Sequence, residues 1–183
     1  FLSEKDAGAL RIAYQTANFS IFPMVALESA LAPYFARLMH ENESSKISTI
    51  SSIHSLVSSI LSLSIFLLFI IFGEWMFGIL YGSEFSSASL LTAIIMFGRF
   101  VQSCFASSNI LMVMSGKSID LIRVSFAGLM ANMCFTISLI GIIGVPAAAV
   151  GSCVSYVLFG LLQYRYCLKT TGVNTAIKLG RGL

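Results

Sequence analysis

Five stretches of this chain are each long and apolar enough to cross a lipid bilayer, and that fact limits what it can fold into. A hydrocarbon core of about 30 Å is spanned by about 20 helical residues. The segments 10–38, 53–80, 90–114, 121–145 and 147–166 meet that length with few charges. Inside lipid, only helices and closed barrels satisfy every backbone N–H and C=O. Barrel strands alternate in polarity over about ten residues, whereas these runs are continuously apolar. The chain therefore reads as an all-α membrane protein, a polytopic bundle of antiparallel transmembrane helices. Composition agrees, with 57% hydrophobic and only 10% charged residues, against about 25% charged in ordinary soluble domains. A net charge of +3, scattered and without basic blocks among aromatics, argues against nucleic acid as a partner.

The connections carry turn chemistry. HENESSKIS, YGSEFSS, SGKSID and GVP separate successive segments. All are short, so sequential helices form hairpins, with Gly116 as a stop signal and Pro146 able to start the last helix. Residues 1–9 read as the end of a preceding helix and an outward loop, and 167–183 as a weakly structured cytoplasmic tail. The chain opens on Phe1 and shows no signal-peptide pattern, so it is expected to be a fragment of a longer protein. Orientation follows from the basic residues. One side holds Arg37, Lys46, Lys117, Arg123, Arg165, Lys169, Lys178 and Arg181, and the other only Lys5, with Arg11 just inside the membrane. That bias places HENESSKIS in the cytoplasm. Cys104, Cys134, Cys153 and Cys167 lie in or at the end of apolar segments without metal-ligand spacing, and read as small packing residues. His40 and His54 fall at the cytoplasmic edge with no second ligand nearby, so neither a metal nor a cofactor is expected.

The informative residues are polar groups within the apolar segments. In the third, Arg99, Gln102, Ser103, Ala106 and Asn109 share one face at helical spacing, joined by Thr92 two turns earlier. An intramembrane Arg costs at least about 2.5 kcal/mol to insert, so such residues face a cavity or a partner. Arg99 is expected either to line a substrate cavity or to form a structural ion pair. The first segment offers Arg11, Gln15 and Asn18 on one face, with Arg11 also able to snorkel to the interface. Pro23 is expected to kink that helix. Glu28 is the deep acid, a candidate for ion coupling or for an ion pair, though it lies about 100° around the helix from Arg11 and about 10 Å deeper along the bundle than Arg99. The fourth segment aligns Ser125, Gly128, Asn132 and Thr136, either as interhelical glue or as cavity lining. Ser55/Ser59, Ser58/Ser62 and Gly151/Ser155 read as packing pairs.

The order of these features resembles a known family. DAGALRIAYQTANFSIFPMVALESALAPYFARL, with its exit APYFARL, is similar to the pattern of polysaccharide-export flippases. FGILYGSEFSSASLL resembles that family's exit and re-entry, and NILMVMSGKS its cytoplasmic turn. IGIIGVPAAAVGSCVSY resembles its last motif, with GVPAAA in place of the usual G-x-x-GAA. The resemblance covers about residues 2–175 and points to the O-antigen and polysaccharide-biosynthesis branch of the multidrug/oligosaccharidyl-lipid/polysaccharide exporters. It implies a full protein of about twelve to fourteen helices in two halves, this chain being most of the second half. It implies transport of undecaprenyl-pyrophosphate-linked glycan across the bacterial inner membrane, with the missing N-terminal half of the same chain as partner. Arg is chemically suited to such a substrate, because its fork of donors stays charged and matches phosphate.

Other readings stay open. A multidrug or cation antiporter, or a lipid II flippase, belongs to the same superfamily. An antiporter needs membrane acids, and Glu28 is the deep one here, against Arg11 and Arg99. A non-transporting membrane scaffold is a further class. An enzyme is not expected, because the outward loops are a handful of residues without a nucleophile, acid–base or metal constellation.

Overall fold

The computed structural model describes residues 4–41, 43–86 and 88–175. The readings for residues 1–3, and for Lys178 and Arg181, lie outside the described residues. The helices are α1 Glu4–Asn18, α2 Phe22–His40, α3 Ser44–Tyr81, α4 Ala88–Ser103, α5 Ser107–Met114, α6 Ser118–Ile143 and α7 Pro146–Thr171. Short 3-10 turns occupy Phe19–Ile21 and Ser83–Phe85, and no strand occurs among the described residues. Four helical spans, or five when the bent pair α4–α5 is taken as one, are long and apolar enough to cross a membrane.

The ends of two segments differ from expectation. Residues 4–9 are the first turns of α1 rather than a loop. Glu4 and Asp6 complement the positive end of the helix dipole there. Lys5 Nζ also reaches Glu84 Oε2 at 2.7 Å, tying α1 to the turn before α4 and holding the Glu84 carboxyl below its ordinary range. At the other end α7 continues past residue 166 to Thr171. Gly172 then reverses the chain at φ 67, a conformation that favours glycine. The start of the expected tail therefore packs back on the bundle. Ser48 Oγ donates to the Asn174 carbonyl at 3.1 Å, and Ser108 Oγ lies 2.7 Å from Thr175 Oγ1.

Two of the five spans are broken. In the first, the 3-10 turn Phe19–Ile21 interrupts the helix just before Pro23, which lacks an N–H and sits in the first turn of α2. Ser20 Oγ bonds back to the Ala17 carbonyl at 2.7 Å, which takes an acceptor from the helix ladder. In the second, α4 and α5 meet at a bend of 55°. Ser103 Oγ and Cys104 Sγ both turn back to the Phe100 carbonyl, at 2.7 and 3.5 Å. The ladder then slips to the tighter i→i−3 pattern at Phe105 and Ala106. The single polar face expected along 92–109 is therefore split between two helices.

Helix α7 packs between α6 and α4, and α4 packs on α3 and α1. The α4–α7 approach is made by glycines. A Cβ at Gly98 would stand 2.7 Å from Cys153 Cα and 2.9 Å from its carbonyl oxygen, and one at Gly160 would stand 3.1 Å from Gln102 Cα. Small residues serve the same end on α1 and α7, where Ala13, Ala17 and Ala149 pack against Leu91, Ile95 and Met96. Helix α6 buries only Val124 and Gly128, while Ile122, Phe126, Ile137 and Ile142 are exposed. Such a surface is suited to lipid rather than water.

Gly98→Ala is expected to destabilise the full protein by about 1–3 kcal/mol, because the opposing backbone has nowhere to move. Gly78 has nothing within 4 Å of a built Cβ, so Gly78→Ala is expected to be neutral or stabilising by about 0.5–1 kcal/mol. Thermal melting of the two variants in detergent checks the contrast.

Candidate functional site

The α4–α7 crossing sets Arg99 against Tyr156. The guanidinium carbon lies 3.8 Å from the ring centroid, and Nη2 donates to Tyr156 Oη at 3.0 Å. The same nitrogen donates to Asn18 Oδ1 on α1 at 3.3 Å, and Nη1 donates to Gln102 Oε1 at 3.2 Å. Every one of these partners is neutral. Nε is buried and has no partner among the described residues. The ion pairs found among the described residues are Lys5–Glu84, Arg37–Glu41, Lys46–Glu43 and Arg123–Asp120, all near helix ends. Arg99 is thus positioned by stacking and neutral acceptors, and among the described residues no carboxylate pairs with it.

Arg99 and Gln102 line a cleft of about 290 Å³ between α4, α6 and α7, with Asn132, Ser155 and Tyr156 on its walls. Gln102 and Phe159 also line an adjoining cleft of about 190 Å³ that holds Glu28, Asn109 and Gln163. There Asn109 joins two partners. Its Nδ2 donates to Glu28 Oε2 at 3.1 Å, and its Oδ1 accepts from Gln163 Nε2 at 3.1 Å. The bend after Ser103 explains the division, because it turns Asn109 away from Arg99 and towards α2. Glu28 Oε1 is buried without a partner among the described residues. Glu28 therefore pairs with Asn109 rather than with Arg99.

The remaining candidates fall in different places. Asn18 joins Arg99, but Arg11 and Gln15 are exposed on α1 and bond to none of the described residues. Asn132 serves both readings made of it. It lines the larger cleft, and its Nδ2 donates to Ser152 Oγ at 2.9 Å. Ser152 also bonds Tyr14, and Thr136 Oγ1 reaches Asn132 Oδ1 at 3.4 Å, so this network staples α1, α6 and α7. Gly128 packs under Ser155, whose hydroxyl donates to the Gly128 carbonyl at 2.8 Å. Thr92 and Ser103 spend their hydroxyls on carbonyls of their own helix and do not enter the site.

Three site residues on α7 escaped the sequence reading: Ser152, Tyr156 and Gln163. They lie at i, i+4 and i+11, one helical face, alternating with glycine and phenylalanine that masked the pattern. No group of three or more His, Cys, Asp or Glu side chains suited to a metal occurs among the described residues.

Asn109→Leu is expected to cost about 1–3 kcal/mol, because it leaves the buried Glu28 and Gln163 groups unpaired. Adding Glu28→Leu is expected to recover part of that loss, since removing both partners costs less than removing one. Melting temperatures of the single and double variants measure the difference.

No protein-family model matches the chain, and no solved structure matches it. One curated protein, a probable low-salt glycan biosynthesis flippase of Haloferax volcanii, is 24% identical over 173 residues. The match covers 91% of this chain and 35% of that protein, so the chain spans about a third of its relative's length. The helical spans themselves are those of a multi-pass membrane protein.

Proposed function

We propose that this chain forms part of a flippase that moves a lipid-linked glycan across a membrane, with Arg99 meeting the anionic phosphate linkage. One observation carries the reading. Arg99 is held in a cleft by Tyr156, Asn18 and Gln102, none of which neutralises it. A cation at membrane depth with only neutral partners favours an anionic ligand. The amide and hydroxyl groups of Gln102, Asn132 and Ser155 beside it suit sugar hydroxyls. Arg11 and Gln15, exposed on the same face of α1 as Asn18, extend that polar surface.

The Haloferax relative is named for glycan biosynthesis, which favours the glycan flippase over the drug antiporter. The linkage is proposed to be a polyprenyl-pyrophosphate of the undecaprenyl type, and the membrane a prokaryotic cytoplasmic membrane, of which the bacterial inner membrane is one case. The basic end of the bundle is proposed to face the cytoplasm. The chain is proposed to work with an N-terminal half that completes the cavity, and O-antigen is one glycan class it would accept. Glu28 gives ion coupling a specific basis, because its second carboxylate oxygen is buried in the adjoining cleft without a partner.

The test is flipping of a fluorescent lipid-linked oligosaccharide by the full-length protein in liposomes. Losing a charged hydrogen bond is worth about 1.5–3 kcal/mol, so Arg99→Gln is expected to slow flipping by about tenfold or more. Arg99→Lys is expected to fall between, because an ammonium keeps the charge without the planar fork. Wild-type flipping by Arg99→Gln at normal abundance would sink the reading.

A further inference from the structure

The cleft beside Arg99 does not end at Gln102. Gln102 and Phe159 also line the second cleft, of about 190 Å³, whose polar groups come from three helices. Gln163 Nε2 on α7 donates to Asn109 Oδ1 on α5 at 3.1 Å, and Asn109 Nδ2 donates to Glu28 Oε2 on α2 at 3.1 Å. Both bonds run the same way, so this row of donors ends on the Glu28 carboxyl group. His54 helps to hold the row in place. The sequence pattern suggested an interfacial residue, but His54 is 2% exposed and lies ten residues into α3. Its Nδ1 stands 2.8 Å from the Oγ of Ser107, the first residue of α5, and so ties α3 to the helix that presents Asn109.

The row is incomplete at its end. A carboxylate has about four acceptor sites. Asn109 takes one, and Oε1 is buried without a partner among the described residues. The last torsion of a glutamate is broad and two-fold, so rotation about it exchanges the two oxygens and turns the uncommitted one to the cleft. A polar group buried without a partner is costly. A metal cation suits this place poorly. It takes several oxygens at once, whereas Asn109 turns its NH2 group to the carboxyl group and its oxygen to Gln163. A sugar hydroxyl suits it well. It donates and accepts, and so pairs with a carboxyl group whether or not that group carries a proton. The walls fit the rest of a sugar ring, because Met24, Val25 and Phe159 offer apolar surface to its C–H faces around a few polar groups.

The position fits as well. Asn109 follows Arg99 by ten residues, at most about 15 Å of helix rise, and Gln102 lies between them on the wall of both clefts. A sugar carried on a phosphate at Arg99 reaches the second cleft without a spacer.

We propose that the cleft of Glu28, Asn109 and Gln163 is a subsite for the first pyranose ring of the glycan, a neutral sugar whose hydroxyls bond to the Glu28 carboxyl group. This subsite rests on the flippase reading and divides its work. Arg99 holds the phosphate that every such substrate shares, and Glu28 reads the ring by which substrates differ. Recognition is by hydrogen bonds alone, and no covalent bond changes.

Equilibrium binding to the full-length protein in nanodiscs tests this with undecaprenyl pyrophosphate alone and with the same lipid carrying one glucose. The wild type is expected to bind the glucosylated lipid about tenfold more tightly, the worth of one hydrogen bond to a charged group. Glu28→Leu is expected to bind the two lipids alike, at about the affinity of the wild type for the bare lipid. Glu28→Gln keeps a hydrogen-bonding oxygen without the charge, and is expected to keep a preference of about threefold. Arg99→Gln is expected to weaken both lipids by a similar factor and leave the preference intact. A Glu28→Leu variant that keeps the preference, or that loses the bare lipid as well, would overturn the subsite. So would Glu28→Gln behaving as Glu28→Leu, because the charge alone would then matter, as it does at an ion site. A wild type that binds both lipids alike sinks the subsite and leaves the flippase reading standing. A wild type that binds neither lipid sinks the flippase reading and the subsite with it.

Discussion

The candidate site depends on the backbone contact between α4 and α7. Gly98 rests on Cys153 and Gly160 rests on Gln102, at separations that a methyl group would close. That close approach brings the Arg99 guanidinium carbon to 3.8 Å from the Tyr156 ring centroid. Within lipid there is no hydrophobic drive between helices, so close van der Waals approach and polar bonds must supply the association. The glycines permit the approach, and the Arg99–Tyr156 contact uses it.

The two helix breaks do complementary work. The break at Phe19–Ile21 follows Asn18, which accepts from Arg99, and precedes Met24 and Glu28. The break after Ser103 lets α4 present Arg99 to one cleft and α5 present Asn109 to the other. Irregular backbone at membrane depth is tolerated only where it is buried in protein or lines a cavity. Both conditions hold here, since Ser55 and Ser107 satisfy the backbone on the inner side of the second break and the clefts open on the other. Discontinuous helices are where transporters gather polar groups that cannot be placed on a regular apolar helix. The arrangement sets Arg99 among neutral partners in one cleft and Glu28 beside the neutral Asn109 in the other, rather than pairing the two.

Much of the architecture was legible along the chain. The apolar runs announced the helices, Gly116 and Pro146 marked real boundaries, and Arg99 and Glu28 stood out because charges are rare in such runs. The split of the Arg99 stripe was not legible. Ser103 and Cys104 look like ordinary helix residues, and it is their competition for the Phe100 carbonyl that bends the span. Tyr156 and Gln163 were hidden because a tyrosine or a glutamine in an apolar helix is unremarkable until the opposing residue is known. His54 was misplaced because counting residues from a loop measures sequence position, not burial.

What the sequence determined by itself is the solvent and the secondary structure, because hydrophobic length and backbone hydrogen bonding leave a membrane segment almost no choice but a helix. It also determined which residues would be expensive to bury. Only the tertiary structure decided what those residues touch. That Arg99 meets Tyr156, Asn18 and Gln102, that Glu28 meets Asn109, and that His54 meets Ser107 all follow from helix rotation, from two bends and from glycine contacts. Periodicity assigns a side chain to a face of its own helix. The partner across the interface depends on how two helices are turned towards each other, and that is a property of their packing.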